Sequence, residues 1–122
     1  MKFMLLIHQG TTPTPGSAEW ERLSEDEQKA VYAAYQSLNQ TPGFTAGVRM
    51  QPPENATTVR VKDGRTLTTD GPFAEVKEFL AGFFLIECDT LERAIEHAAR
   101  VPEADFGRVE VRPVMDLTSW EM

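Results

Sequence analysis

The sequence predicts an α+β domain with the ferredoxin-like split βαβ arrangement and an extra β-hairpin. Three observations carry this. Apolar residues follow strand-like patterns in four separate segments. Two segments with helical spacing lie between them, each behind a capping pattern, and Asp63-Gly64 joins two further strand-like runs. The resulting order is strand, helix, strand, hairpin, strand, helix, strand, which places two helices on one face of a mainly antiparallel sheet. The 122 residues, 41% hydrophobic and 25% charged, suit a single domain spanning 1–122.

Each element has a local cause. Lys2 to His8 alternates Phe3, Leu5 and Ile7 with Met4, Leu6 and His8, so both faces are largely apolar, as in a central strand. Thr11 to Gly16, rich in Pro, Gly and Thr, is loop chemistry. Trp20 and Leu23 suit a short helical turn or a packing anchor before the first helix. Ser24 with Glu27 forms a capping box, and Val31, Ala34, Tyr35 and Leu38 define a helix over Glu25 to Asn39. Phe44 to Met50 alternates as a half-buried strand that stops at Gln51-Pro52-Pro53. Thr57 to Val61 and Arg65 to Thr69 form the hairpin. A three-residue Lys62-Asp63-Gly64 loop with a bulge would put Val59, Val61 and Leu67 on one face, and that register is expected over a two-residue loop. Asp70-Gly71-Pro72-Phe73 breaks the chain, and Ala74 to Leu80 is a charged connection with room for one or two helical turns. Gly82 to Cys88 reads as a buried strand. Asp89 with Glu92 caps a second helix whose stripe is Leu91, Ala94, Ile95 and Ala98 and which ends before Pro102. Val109, Val111 and Pro113 alternate in the last strand.

Charge and composition exclude several functions. Lys and Arg total 12 against 19 Asp and Glu, a formal charge of −7, the wrong sign for binding nucleic acid or an anionic membrane. The apolar runs Phe3 to Ile7 and Phe79 to Ile86 fall short of the roughly 20 residues a membrane-spanning helix needs. Met1-Lys2 leads directly into a strand pattern without a secretory leader, so a cytoplasmic location is expected. One Cys and two separated His offer no zinc set, and Cys88 reads as a small core residue. No glycine-rich phosphate loop or nucleophile elbow is present, and no cofactor or metal is expected. Two helices cover one sheet face, yet Met4, Leu6, Phe83 and Leu85 compete for burial with Leu5, Ile7, Phe84 and Ile86. A homodimer packed sheet against sheet, with a cavity between, is therefore expected.

The candidate chemistry centres on Asp70 and His8. Asp70 either caps its own turn while Phe73 plugs the core, or points into an apolar pocket where desolvation would make it a general acid or base. His8, at the end of the first strand, either enters a cleft and titrates near neutral pH or bonds the backbone. Phe73, Lys77 and Arg49 are candidate ligand-binding residues. Lys77 could instead join local ion pairs with Glu75 and Glu78, and structural pairing is the favoured role for Arg49 and Arg112. His97, one turn from Arg93 and Arg100, is placed on their solvated face.

Met1 to Ile7, Gln51-Pro52-Pro53, Ala56 to Arg60, Thr69-Asp70-Gly71-Pro72-Phe73-Ala74-Glu75 and Val109 to Val114 together resemble the DGPF branch of the YCII-related family, over nearly the whole chain. The resemblance implies a ferredoxin-like subunit that forms a dimeric α+β barrel. Most members are uncharacterised, while fold relatives include dehydrochlorinases, monooxygenases and muconolactone isomerases acting on small aromatic or lactone compounds. Some members carry a His–Asp pair, the His in the first-helix region and the Asp just before a proline after the second helix. Here Glu25 to Asn39 holds no His and Val101 precedes Pro102, so that pair does not carry over. The resemblance leaves Asp70, from the namesake motif, with His8 as partner. It implies a small organic ligand in the barrel cavity and lyase- or isomerase-type acid/base chemistry without a cofactor. The alternative is a non-catalytic regulatory or ligand-sensing module, since some DGPF proteins are associated with extracytoplasmic-function sigma factors.

Overall fold

The alternation at the N-terminus builds β1 over Lys2–Gln9, with Phe3, Leu5, Ile7 and Gln9 buried and the residues between them half-buried. The computed structural model describes residues 1–10, 17–45, 47–72 and 78–115. After β1 come α1 (Ala18–Glu21), α2 (Glu25–Asn39), β2 (Val48–Arg49), β3 (Thr57–Lys62), β4 (Arg65–Asp70), β5 (Phe79–Glu87), α3 (Leu91–Ala99), α4 (Glu103–Phe106) and β6 (Arg108–Pro113). The main sheet has the order β2-β5-β1-β6 with every pairing antiparallel, and β3–β4 forms a separate two-stranded sheet. This is the ferredoxin-like α+β fold with its inserted hairpin.

The core lies between the helices and one sheet face. Phe3, Leu5, Ile86, Leu38 and Val101 are fully buried there, each worth about 1.5–3 kcal/mol of transfer free energy. Tyr35, Phe44, Cys88, Val109 and Val111 pack against them. The opposite face presents Met4 and Leu6 beside Leu85 and Phe83, with Val48 at one edge and Glu110 and Arg112 at the other.

The ends of α2 match the sequence reading because its cap is complete: Ser24 accepts from the Glu27 amide at 3.1 Å, and Glu27 accepts from the Ser24 amide at 3.0 Å. These bonds also hold the Glu27 carboxyl below its ordinary pKa. Trp20 is the anchor expected, buried in α1 with its ring edge-on to Tyr32 at 5.3 Å.

Four local expectations need correction. Among the described residues, the strand expected over Phe44 to Met50 is a strand at Val48–Arg49, preceded by a bridge from Phe44 to Ile86. The segment lies so close to β5 that a Cβ on Gly82 would strike the Val48 carbonyl, and one on Gly43 would strike that of Glu87. The hairpin turn has two residues, not three. Asp63 (φ 51°) and Gly64 (φ 75°) are both left-handed, so Arg60 faces Leu67 and Lys62 faces Arg65. With both faces exposed, turn geometry rather than burial sets the register, and Leu67 lies on the face opposite Val59 and Val61. Thr90, not Asp89, caps α3, accepting from the Arg93 amide at 3.1 Å. Finally, α3 buries Ala94, His97 and Ala98 and leaves Leu91 and Ile95 exposed, so His97 is a core residue rather than a solvated one. Two small alanines let the helix approach the sheet on that face, and His97 fills the space against Phe44, ring centroids 5.1 Å apart.

Candidate functional site

At the end of β1 the buried phase that begins with Phe3, Leu5 and Ile7 falls on a polar residue, Gln9. A buried amide needs a partner, and Gln9 Nε2 donates to Glu103 Oε1 at 3.0 Å. Glu103 is delivered by the chain after α3: Val101 is fully buried, Pro102 bars continuation of the helix, and the carboxyl follows at the first residue of α4, 4% exposed. Tyr35, on the inward face of α2, donates its hydroxyl to the same Oε1. Burial first, then the hydrogen bond and charge of Glu103, raise the Tyr35 pKa far above the ordinary phenol range, while the Arg49 guanidinium pulls weakly the other way. Tyr35 therefore keeps its proton and serves as a fixed donor.

With two donors on Oε1, the carboxyl is locked in one orientation and Oε2 is left alone. Oε2 is the one buried side-chain nitrogen or oxygen without a partner among the described residues. An unmet buried acceptor costs about 1–3 kcal/mol. Glu103 forms part of the wall of a pocket of about 270 Å³ between α2 and the β2–β5 edge, with Tyr32, Asn39, Arg49, Phe83 and Phe84 around it. Close contact shapes this edge: a side chain on Gly47 would collide with the Phe84 ring, and one on Gly82 with the backbone of β2. Arg49 is exposed and makes no ion pair among the described residues. The arrangement can accept a hydrogen bond at Oε2 and can attract an anion at Arg49.

His8 stands on the opposite sheet face. It lines a separate open cleft of about 660 Å³ with Met50, Pro52, Pro72, Phe79 and Leu80. Its Nε2 lies 3.4 Å from Glu110 Oε1, and Arg112 Nε donates to Glu110 Oε2 at 2.9 Å, which holds the Glu110 carboxyl below its ordinary pKa. Arg112 thus has the structural role expected of it. Asp70 is exposed as the last residue of β4, opposite Thr57. Among the described residues the hairpin that carries it is exposed on both faces, and Pro72 rather than Asp70 lines the His8 cleft. The turn is held through Gly71 (φ 94°), whose amide donates to the Ala56 carbonyl at 2.7 Å and whose carbonyl accepts from Thr58 Oγ1 at 2.8 Å. His8 and Asp70 are not brought into a common cavity among the described residues. Phe73, Glu75 and Lys77 lie outside the described residues. Glu78 pairs with Arg108 on β6, at 2.6 Å.

Gln9, Tyr35 and Glu103 are absent from the expected site, although two of them leave a trace in the sequence. Gln9 occupies a buried phase of the β1 alternation, and Tyr35 places a polar tip within the apolar stripe of α2. Glu103 leaves none, since one acidic residue after a proline is commonplace. Among the described residues no group of three or more His, Cys, Asp or Glu could hold a metal ion, and no helix is long and apolar enough to cross a membrane.

The model of the YCII-related domain matches residues 1–118. An uncharacterised protein of Rhizobium meliloti (strain 1021) is 44% identical over 68 residues, 54% of this chain and 55% of that relative, so the match spans about half of the relative's length.

Proposed function

The chain belongs to the YCII-related family, and within it we propose that it binds a small organic molecule in the pocket between α2 and the β2–β5 edge, with Glu103 as the polar anchor. The observation that carries this reading is the orientation-locked carboxyl of Glu103, a residue of the pocket wall whose Oε2 is buried without a partner. Sites with few convergent polar groups in an apolar surround are the usual form of small-molecule sites. Tyr35 and Gln9 are positioning residues, because both act on the carboxyl through Oε1. In the bound state Oε2 accepts a hydrogen bond from the ligand, and that contact is where acid/base chemistry of lyase or isomerase type would be sought. The functional chain is a homodimer joined through the half-exposed row of Met4, Leu6, Phe83 and Leu85, which no helix among the described residues covers.

The test is a fragment screen of six-membered-ring compounds, neutral and charged, read by chemical-shift changes in amide NMR spectra of the full chain. Shifts are expected at Gln9, Tyr35, Val48, Arg49 and Glu103. Hits that shift only the His8–Leu80 cleft or the Asp70 turn, or a screen without hits, would overturn the assignment.

A further inference from the structure

We infer that the ligand of this pocket is a small organic acid that carries a hydroxyl or amino donor away from its acid group, the acid meeting Arg49 and the donor meeting Glu103 Oε2. This rests on the pocket being the binding site and adds the class of molecule it takes.

Two residues that line one pocket each carry an unmet chemical demand. Oε2 requires a donor: both groups already on the carboxyl, Gln9 and Tyr35, bond Oε1, and nothing among the described residues reaches the other oxygen. A ligand acceptor placed there would add a second unsatisfied oxygen, so the site selects against an ether or a carbonyl at that position. Arg49 makes the opposite demand. Its guanidinium presents a planar fork suited to a carboxylate, it makes no ion pair among the described residues, and it lines the same pocket. In a chain of formal charge −7, an unpaired cation at a pocket is the local attraction for an anion that the rest of the molecule repels. Between these ends the walls are aromatic, with Tyr32, Phe83 and Phe84, which suits a flat or compact apolar middle. A volume of about 270 Å³ limits the ligand to a single ring or its equivalent.

The experiment measures dissociation constants by NMR titration for 3- and 4-hydroxybenzoate, their methyl ethers, benzoate and phenol. The proteins are the native chain, Glu103→Gln and Arg49→Met. The better hydroxybenzoate is expected to bind at least about tenfold tighter than benzoate, phenol or its own methyl ether. Glu103→Gln, which puts an amide donor at the open position, should erase the preference over benzoate and narrow that over the ether. Arg49→Met should erase the preference over phenol. The comparison among probes on the native chain stands whether or not a variant folds. Pocket shifts with no advantage for the hydroxybenzoates, or advantages that both variants retain, overturn the ligand class and leave the pocket standing. No pocket shifts with any probe overturns both readings.

Discussion

Glu103 shows how one side chain can be satisfied on one side and deprived on the other, and the stability consequence falls on its partners. Tyr35→Phe removes a buried donor from a carboxyl that keeps only Gln9, and should cost about 1–3 kcal/mol in urea denaturation. An unchanged midpoint would mean the bond contributes nothing to folding. His97 gives a pH signature of the opposite kind. Burial, then the charges of Arg93 and Arg100, lower its pKa below the ordinary 6.5 despite the nearby Glu96, and Phe44 faces the ring with an edge-on aromatic contact. The folded chain therefore disfavours the proton that the unfolded chain accepts. Stability contributed by the neutral ring is present above pH 6.5 and is lost as pH falls through that value towards the lower folded pKa. Melting curves at decreasing pH should show the native chain losing more stability than His97→Gln, and parallel losses would count against the assignment. The reading of His97 as solvated failed because its neighbours Arg93 and Arg100 do reach water, while the ring between them turns inward.

At the scale of elements, the agreement between sequence and structure follows how local the cause is. The α2 helix has its boundaries written in a capping box and a stripe, and both are realised. The segment before the hairpin does not, because its course depends on contact with β5. Gly82→Ala should force β2 away from β5 at a cost of about 1–3 kcal/mol or more. Faster hydrogen exchange at the Met50 amide, which bonds the Ala81 carbonyl at 2.8 Å, would report it. The hairpin offers the contrasting case. A Cβ on Gly64 meets nothing within 4 Å, but the residue stands at φ +75°, so Gly64→Ala stores about 1–2 kcal/mol of backbone strain. Since among the described residues β3 and β4 pair only with each other, exchange should quicken across 57–70 while the global unfolding midpoint stays in place. Global destabilisation of the same size would mean that the hairpin is part of the core.

For the whole molecule, the sheet has one face filled by helices and one that is half-exposed and largely apolar. Dimerisation through the latter predicts a particle of twice the chain mass in light scattering and a monomer for Leu85→Glu, which places a charge amid Met4, Leu6 and Phe83. A native chain that remains monomeric at high concentration, or a dimer unaffected by the substitution, would sink the sheet-to-sheet arrangement.

The pattern of apolar periods, the capping box of α2 and the Asp63-Gly64 turn are enough to determine the ferredoxin-like order of elements, because each of these causes acts within a few residues. What only the tertiary structure decided is which polar groups meet. Gln9, Tyr35 and Glu103 come from a strand end, the middle of a helix and the start of a short helix, and burial of their apolar neighbours draws them together. The same packing leaves Asp70 on an exposed hairpin and turns His8 to the other sheet face. Secondary structure follows from interactions between near neighbours, whereas a site assembled across the fold follows from the packing of its core.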